Sequence, residues 1–212
     1  SPNYDPYYQG DGIYNQGSLT IENCNLFNNF GQAIWSGTYT QGADLTIRDS
    51  TISRNYDHGI GIQGGSADIF RSTIDRNNWS GVVVHGGAYV DIVNSTITGN
   101  QTPYSGAGIA VFDNSTVYVD SSTVAHNYAP YAGGGIMITS GSAYLYHTIM
   151  SGNGASFGQE VTVYGGSVTT YDAILGHAGQ TNGDAFYGFT PGWSDLNATQ
   201  GGASIPLTTI VS

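Results

Sequence analysis

Arg54 and Arg76 stand in equivalent places of two successive copies of one phrase, each immediately before an asparagine. Tyr56, Asp57 and His58 follow the first of them. Together these residue types could act on an acidic polysaccharide. Cleavage beside a uronate needs a cation to neutralise the carboxylate and a base to take the neighbouring proton. The chain has no lysine, so arginine must supply the cation. Arg54 and Arg76 would carry it and Asp57 or His58 the base, with His126 in the same column two copies further on. The alternative is a solvated corner with ordinary polar residues.

A second acidic pattern is Asp68 and Asp91, again one copy apart, with Asp44 and Asp49 flanking the strand before them. Carboxylates aligned at the ~4.8 Å spacing of adjacent strands could hold calcium. They could equally be solvated surface acids, and calcium is the one cofactor the sequence leaves open. Cys24 is the single cysteine, which excludes an intramolecular disulfide. It takes the place of Ser50, Ser72, Ser95 and Ser122 in later copies and reads as a small inward filler. Thr51-x-Ser53, Thr73-x-Asp75, Thr96-x-Thr98 and Thr123-x-Ala125 are too interrupted for the flat threonine array of an ice-binding surface.

The elements that must position these groups come from a repeat. Each copy has an apolar-x-apolar strand, a short turn, a Ser-Thr-Ile phrase and an asparagine three residues on. Leu45-Thr46-Ile47, Ser50-Thr51-Ile52 and Asn55 make one copy, and Val90-Asp91-Ile92, Ser95-Thr96-Ile97 and Asn100 another. A third strand follows, as in Gly59-Ile60-Gly61-Ile62 and Gly135-Ile136-Met137-Ile138. The asparagines at 29, 55, 77, 100, 127 and 153 are separated by 26, 22, 23, 27 and 26 residues. Such a period signals a solenoid, propeller or array. Three period-two strands in each copy, without a helical stretch, fit one coil of a parallel β-helix. Crossovers between parallel strands are overwhelmingly right-handed.

The expected fold is therefore an all-β, right-handed parallel β-helix of about seven coils. Stacking predicts three inward aliphatic columns: Ile21, Ile47, Ile69, Ile92, Val119, Leu145; Leu26, Ile52, Ile74, Ile97, Val124, Met150; and Ile13, Ile34, Ile60, Val82, Ile109, Ile136, Val161. It also predicts a structural ladder of Asn29, Asn55, Asn77, Asn100, Asn127 and Asn153. An amide side chain donates and accepts at once, and asparagine tolerates the left-handed backbone of a sharp corner.

Asn94-Ser95-Thr96-Ile97-Thr98-Gly99-Asn100 and Gly133-Gly134-Gly135-Ile136 resemble the repeats of secreted bacterial right-handed β-helix proteins, including polymorphic outer-membrane and choice-of-anchor surface proteins. The resemblance runs roughly from Gly12 to Gly166 and implies extracellular or cell-surface structural and adhesive roles. Polysaccharide lyases and epimerases share the architecture, and fold does not settle function.

Composition narrows the partners. With 4 arginines against 15 acidic residues and a net charge of −11, the chain could not neutralise a run of phosphates or dock on anionic lipid. No apolar run approaches a membrane span. The surface chemistry is Asn, Ser, Thr, Gly and Tyr, which suits an extracellular protein, and the start at Ser1 would suit a mature form. Five Asn-x-Ser/Thr triplets, at Asn78, Asn94, Asn100, Asn114 and Asn197, matter only in a glycosylating host.

Residues 1–11 read as an N-terminal segment, 12–176 as the β-helix and 177–212 as a C-terminal cap or exchanged tail of the same domain. Tyr4, Tyr7 and Tyr8 at one end and Ile205, Leu207 and Ile210 at the other could contact a second copy. Tyr14, Trp35, Val83 and Met137 alternate with inward residues and should point outward. Tyr104, Tyr128 and Tyr131 sit in proline-containing loops after the asparagine column. Exposed apolar surface of this kind marks a partner site or a ligand groove. Two functions follow: an extracellular structural or adhesive protein that associates with copies of itself into a filament or layer, and a module that binds or cleaves a polysaccharide.

Overall fold

The computed structural model describes residues 10–199. Short strands alternating inward and outward residues wind into a parallel β-solenoid of about seven turns, each turn giving one strand to each of three sheets. One turn comprises Ile60–Gln63, Gly65–Phe70 and Thr73–Asp75, and the next Val82–His85, Tyr89–Val93 and Thr96–Thr98. The register places like on like. Ile34, Ile60, Val82, Ile109, Ile136 and Val161 pair successively in the first sheet. Ile21, Ile47, Ile69, Ile92, Val119 and Leu145 do so in the second. Leu26, Ile52, Ile74, Ile97, Val124 and Met150 complete the third. These columns form one continuous buried core. Each such side chain contributes roughly 1.5–3 kcal/mol of burial before entropy is subtracted.

The winding runs past the point where the phrases fade. Phe186 and Tyr187 pair with Val161 and Thr162 after a short helix, Asn182–Ala185, and Leu196–Asn197 pairs with Ile174 and Leu175. The segment beginning at 177 thus adds strands to two sheets before position 199. Tyr4, Tyr7, Tyr8, Ile205, Leu207 and Ile210 lie outside the described residues.

Two hydrogen-bonded ladders hold the corners. In the first, Asn55 Nδ2 donates to Asn77 Oδ1 at 2.7 Å, Asn77 to Asn100 at 2.9 Å, Asn100 to Asn127 and Asn127 to Asn153 at 3.0 Å. Each Oδ1 also accepts the backbone N–H of the asparagine below it. The ladder explains the glycines at 59, 81, 108 and 135, because a Cβ there would lie 2.9–3.1 Å from an asparagine Nδ2. The backbone of these asparagines differs from expectation. The left-handed residue of this corner is the one before, namely Asn28, Arg54, Arg76, Gly99, His126 and Gly152. The asparagine instead keeps ordinary φ, which lets its N–H and side chain both point along the stack.

The second ladder uses the serine column. Ser50, Ser72 and Ser95 each accept the N–H of the residue one coil below and donate to the carbonyl two residues back. The column is thus a hydrogen-bonding device rather than filler. Cys24, at its first rung, is exposed and turns its Sγ to Glu22 O at 3.1 Å.

A loop face with an aromatic groove as the candidate site

The loops after the asparagine ladder decide where ligands could sit. Residues 56–58 and 78–80 make short returns to the first sheet, whereas 101–107 and 128–134 are longer. The longer loops fold back over the outer side of that sheet. A Cβ on Gly106 would meet Ala110, and one on Gly133 would meet Met137, both at 2.7 Å. Outward-pointing Trp35, Val83 and Met137 therefore form a second buried cluster with Ala110. Trp35, expected as a contact residue, is 8% exposed, its indole lying over Gly61 where a Cβ would be 2.2 Å from the ring. Alternation puts these residues on the outer face; the returning loops cover Ala110 and Met137 there, and Trp35 is covered by lying flat over Gly61 of the next coil. Tyr14 remains exposed.

The first loop residue of each turn is held in register by its N–H. Tyr56 N donates to Asn29 O, Asn78 N to Asn55 O, Gln101 N to Asn77 O and Tyr128 N to Asn100 O. The stack Tyr56, Asn78, Gln101, Tyr128 follows, with Tyr56 and Tyr128 three coil steps apart, about 14 Å at ~4.8 Å a step. Between them lies a groove of about 410 Å³, lined also by Trp79 and Thr102 and walled by Pro103 and Pro130. None of these residues is charged. Tyr56 is 63% exposed and rests on Phe30, ring centroids 5.5 Å apart. Tyr128 is 48% exposed, and Tyr104 and Tyr131 are exposed on the same loops. Trp79 is half-buried, edge-on to His58 at 5.2 Å and to Tyr104 at 5.3 Å.

Trp79, Asn78 and Gln101 were not singled out as a site in the sequence. Their signal was available in the position after each ladder asparagine, but it emerges only once the coils are stacked.

Of the four candidate catalytic residues, Asp57 and His58 lie together, while Arg76 is engaged by Asp75. Arg54 and Arg76 stand one coil apart, as Arg54 N bonds to Asp75 O and Arg76 N to Thr98 O. The Arg76 guanidinium is ion-paired with Asp75 at 2.5 Å, and Arg54 lines a recess with Phe30 that adjoins the groove, sharing Tyr56 and Asn78 with it. His58 is largely enclosed, its side chain 17% exposed and its Nε2 3.6 Å from Asp57. Burial pushes its pKa down to about 4, against the opposing charge of Asp57. It is a neutral imidazole at neutral pH.

Asp68 and Asp91 are direct cross-strand partners on the outer face of the second sheet. Partial burial, and then the charge of Asp68, raise the Asp91 pKa. Among the described residues no group of three or more His, Cys, Asp or Glu side chains is placed to hold a metal. Asp49, named beside them, is engaged by Arg71 at 2.6 Å. Further along this face stand Tyr89, Tyr118, Tyr144, Tyr146 and Tyr171, with Tyr118 and Tyr144 stacked at 4.5 Å.

At its far end the asparagine ladder meets Glu160, which stands where earlier turns carry glycine. Asn153 Nδ2 donates to Glu160 Oε2 at 2.6 Å. The carboxyl is fully buried, and that burial raises its pKa.

The fold and its corner ladders define a class, the parallel β-solenoids. The chain belongs to the right-handed β-helix region family, whose model matches residues 7–155. No curated protein and no solved structure matches it significantly. No helix among the described residues is long and apolar enough to cross a membrane.

Proposed function

We propose that this chain is an extracellular adhesive module that holds a neutral polysaccharide along its loop face. The observation that carries the reading is the uncharged groove between Tyr56 and Tyr128. Aromatic faces bury the C–H faces of sugar rings, while the exposed Asn78 and Gln101 amides can donate to and accept from hydroxyls. A net charge of −11 repels a polyuronate at long range, so a neutral glycan is favoured over an acidic one. Binding is favoured over cleavage because Arg76 is already paired and His58 is enclosed.

Affinity electrophoresis against neutral polysaccharides and polyuronates tests this. Retardation by at least one neutral glycan is expected, weakened roughly tenfold by Tyr56→Ala or Tyr128→Ala. Unchanged retardation of both variants removes the groove from the account. Depolymerisation of a polyuronate that Arg54→Ala or Arg76→Ala abolishes would replace binding with lyase action.

A second reading, self-association into a filament or layer, draws on the tyrosine stripe of the second sheet. Sedimentation at high concentration checks it. Wild-type oligomers that Tyr144→Lys disperses support it, and monomers at every concentration dismiss it.

A further inference from the structure

The groove has a side chamber. A cavity of about 220 Å³ lies behind it, and Trp79 and Thr102 line both spaces. That shared wall lies between Tyr56 and Tyr128, so the chamber adjoins the middle of any chain lying across them. The chamber is too small for the ~300–1,000 Å³ that larger ligands need, so it admits a single ring.

Its walls divide in character. Trp79, Tyr104 and Phe112 offer aromatic surface, and Ser105 offers a partly exposed hydroxyl, while Ser80 and Thr102 are buried in the wall. His58 and His85 complete it, and burial lowers the pKa of each, so both imidazoles are neutral donor-acceptors at neutral pH. His58 is held between Asp57 and the edge of Trp79, with the Ser80 backbone beside its ring. Aromatic faces edged by the Ser105 hydroxyl and two neutral imidazoles match one uncharged sugar ring, and the Asp113 carboxylate 3.4 Å from His85 Nδ1 disfavours an anion.

We propose that the chamber is a subsite for a single neutral sugar branching from a main chain held in the groove, so that the preferred ligand is a branched neutral polysaccharide. This rests on the glycan-binding reading of the groove and specifies its substrate class.

The test is calorimetric titration with matched pairs that share a main chain: mannan and galactomannan oligosaccharides, cello-oligosaccharides and xyloglucan oligosaccharides, and xylan and arabinoxylan oligosaccharides. In the pair that binds, the branched member should bind at least about tenfold more tightly. Ser105→Phe, which fills the chamber from a partly exposed loop position, should erase that difference and leave the linear member unchanged. Tyr128→Ala should weaken both members. Equal affinities for linear and branched members, or a branch preference that survives Ser105→Phe, overturns the chamber while the groove stands. Failure of every pair to bind overturns the groove and the chamber together.

Discussion

Replacing Asn100 with alanine removes a complete rung from the middle of the ladder. Its Oδ1 accepts from Asn77 N at 3.0 Å and Asn77 Nδ2 at 2.9 Å. Its Nδ2 donates to Asn127 Oδ1 at 3.0 Å, Ile74 O at 3.0 Å and Thr98 O at 3.2 Å. The side chain is fully buried. Some partners keep other bonds, since Asn77 Nδ2 still reaches Ile52 O and Asn127 Oδ1 still accepts Asn100 N. The Asn77 N–H is left bare. The two amide–amide rungs at about 1 kcal/mol each, plus one orphaned buried donor at about 1–3 kcal/mol, give about 3–5 kcal/mol. Asn29→Ala, at the open end, loses one side-chain rung to Asn55 and should cost about 1 kcal/mol. Asn78→Ala, exposed and next to the ladder, should stay within about 0.5 kcal/mol. Urea unfolding at pH 7, followed by circular dichroism and by tryptophan fluorescence, measures all three. The two probes separate global unfolding from loss of a few coils, which a solenoid permits. The ladder account is refuted if Asn100→Ala costs no more than Asn78→Ala, or if Asn29→Ala costs as much as Asn100→Ala.

His58 predicts acid sensitivity. Its folded pKa of about 4 lies below the unfolded 6.5, so the unfolded chain binds the extra proton and stability falls as pH drops between those values. The loss approaches about 3 kcal/mol by pH 4, and His58→Phe should remove that share of the difference between pH 7 and pH 4 in urea midpoints. Glu160 has the opposite sign. Its raised folded pKa favours the protonated form, so its contribution is present at low pH and lost as pH rises through that value. Glu160→Gln, whose amide oxygen can still accept from Asn153, should match or exceed wild-type stability at pH 7, and a clear loss in thermal midpoint would show that the charge itself is required. Gly108→Ala places a Cβ 2.3 Å from Gly135 O and 2.9 Å from Val124 Cγ1. It should lower stability by about 2 kcal/mol or more, and a neutral result by thermal denaturation would mean that adjacent coils give way more readily than their packing implies.

The sequence by itself determined the solenoid. Its period fixed which residues stack, because a strand's side chains alternate and a parallel coil returns each column to the same face. The Asn55–Asn77–Asn100 ladder was legible for the same reason, and so was the pairing of Asp68 with Asp91. The left-handed corner fell on Arg54 and Arg76 rather than on the asparagines, since local preference for that backbone yields to what the ladder needs from the asparagine N–H. Only the tertiary structure decided what covers a face. Alternation sends Trp35 and Met137 outward, yet a loop that returns over the first sheet covers Met137 and the bare backbone of Gly61 lets Trp35 lie flat on its neighbour. It also brought Tyr56, Trp79 and Tyr128 to one groove, and set Arg76 against Asp75 and His58 against Trp79. The groove contacts depend on where loops of unequal length come to rest, and no period in the chain encodes that, whereas the Arg76–Asp75 pair is a rotamer choice between neighbours.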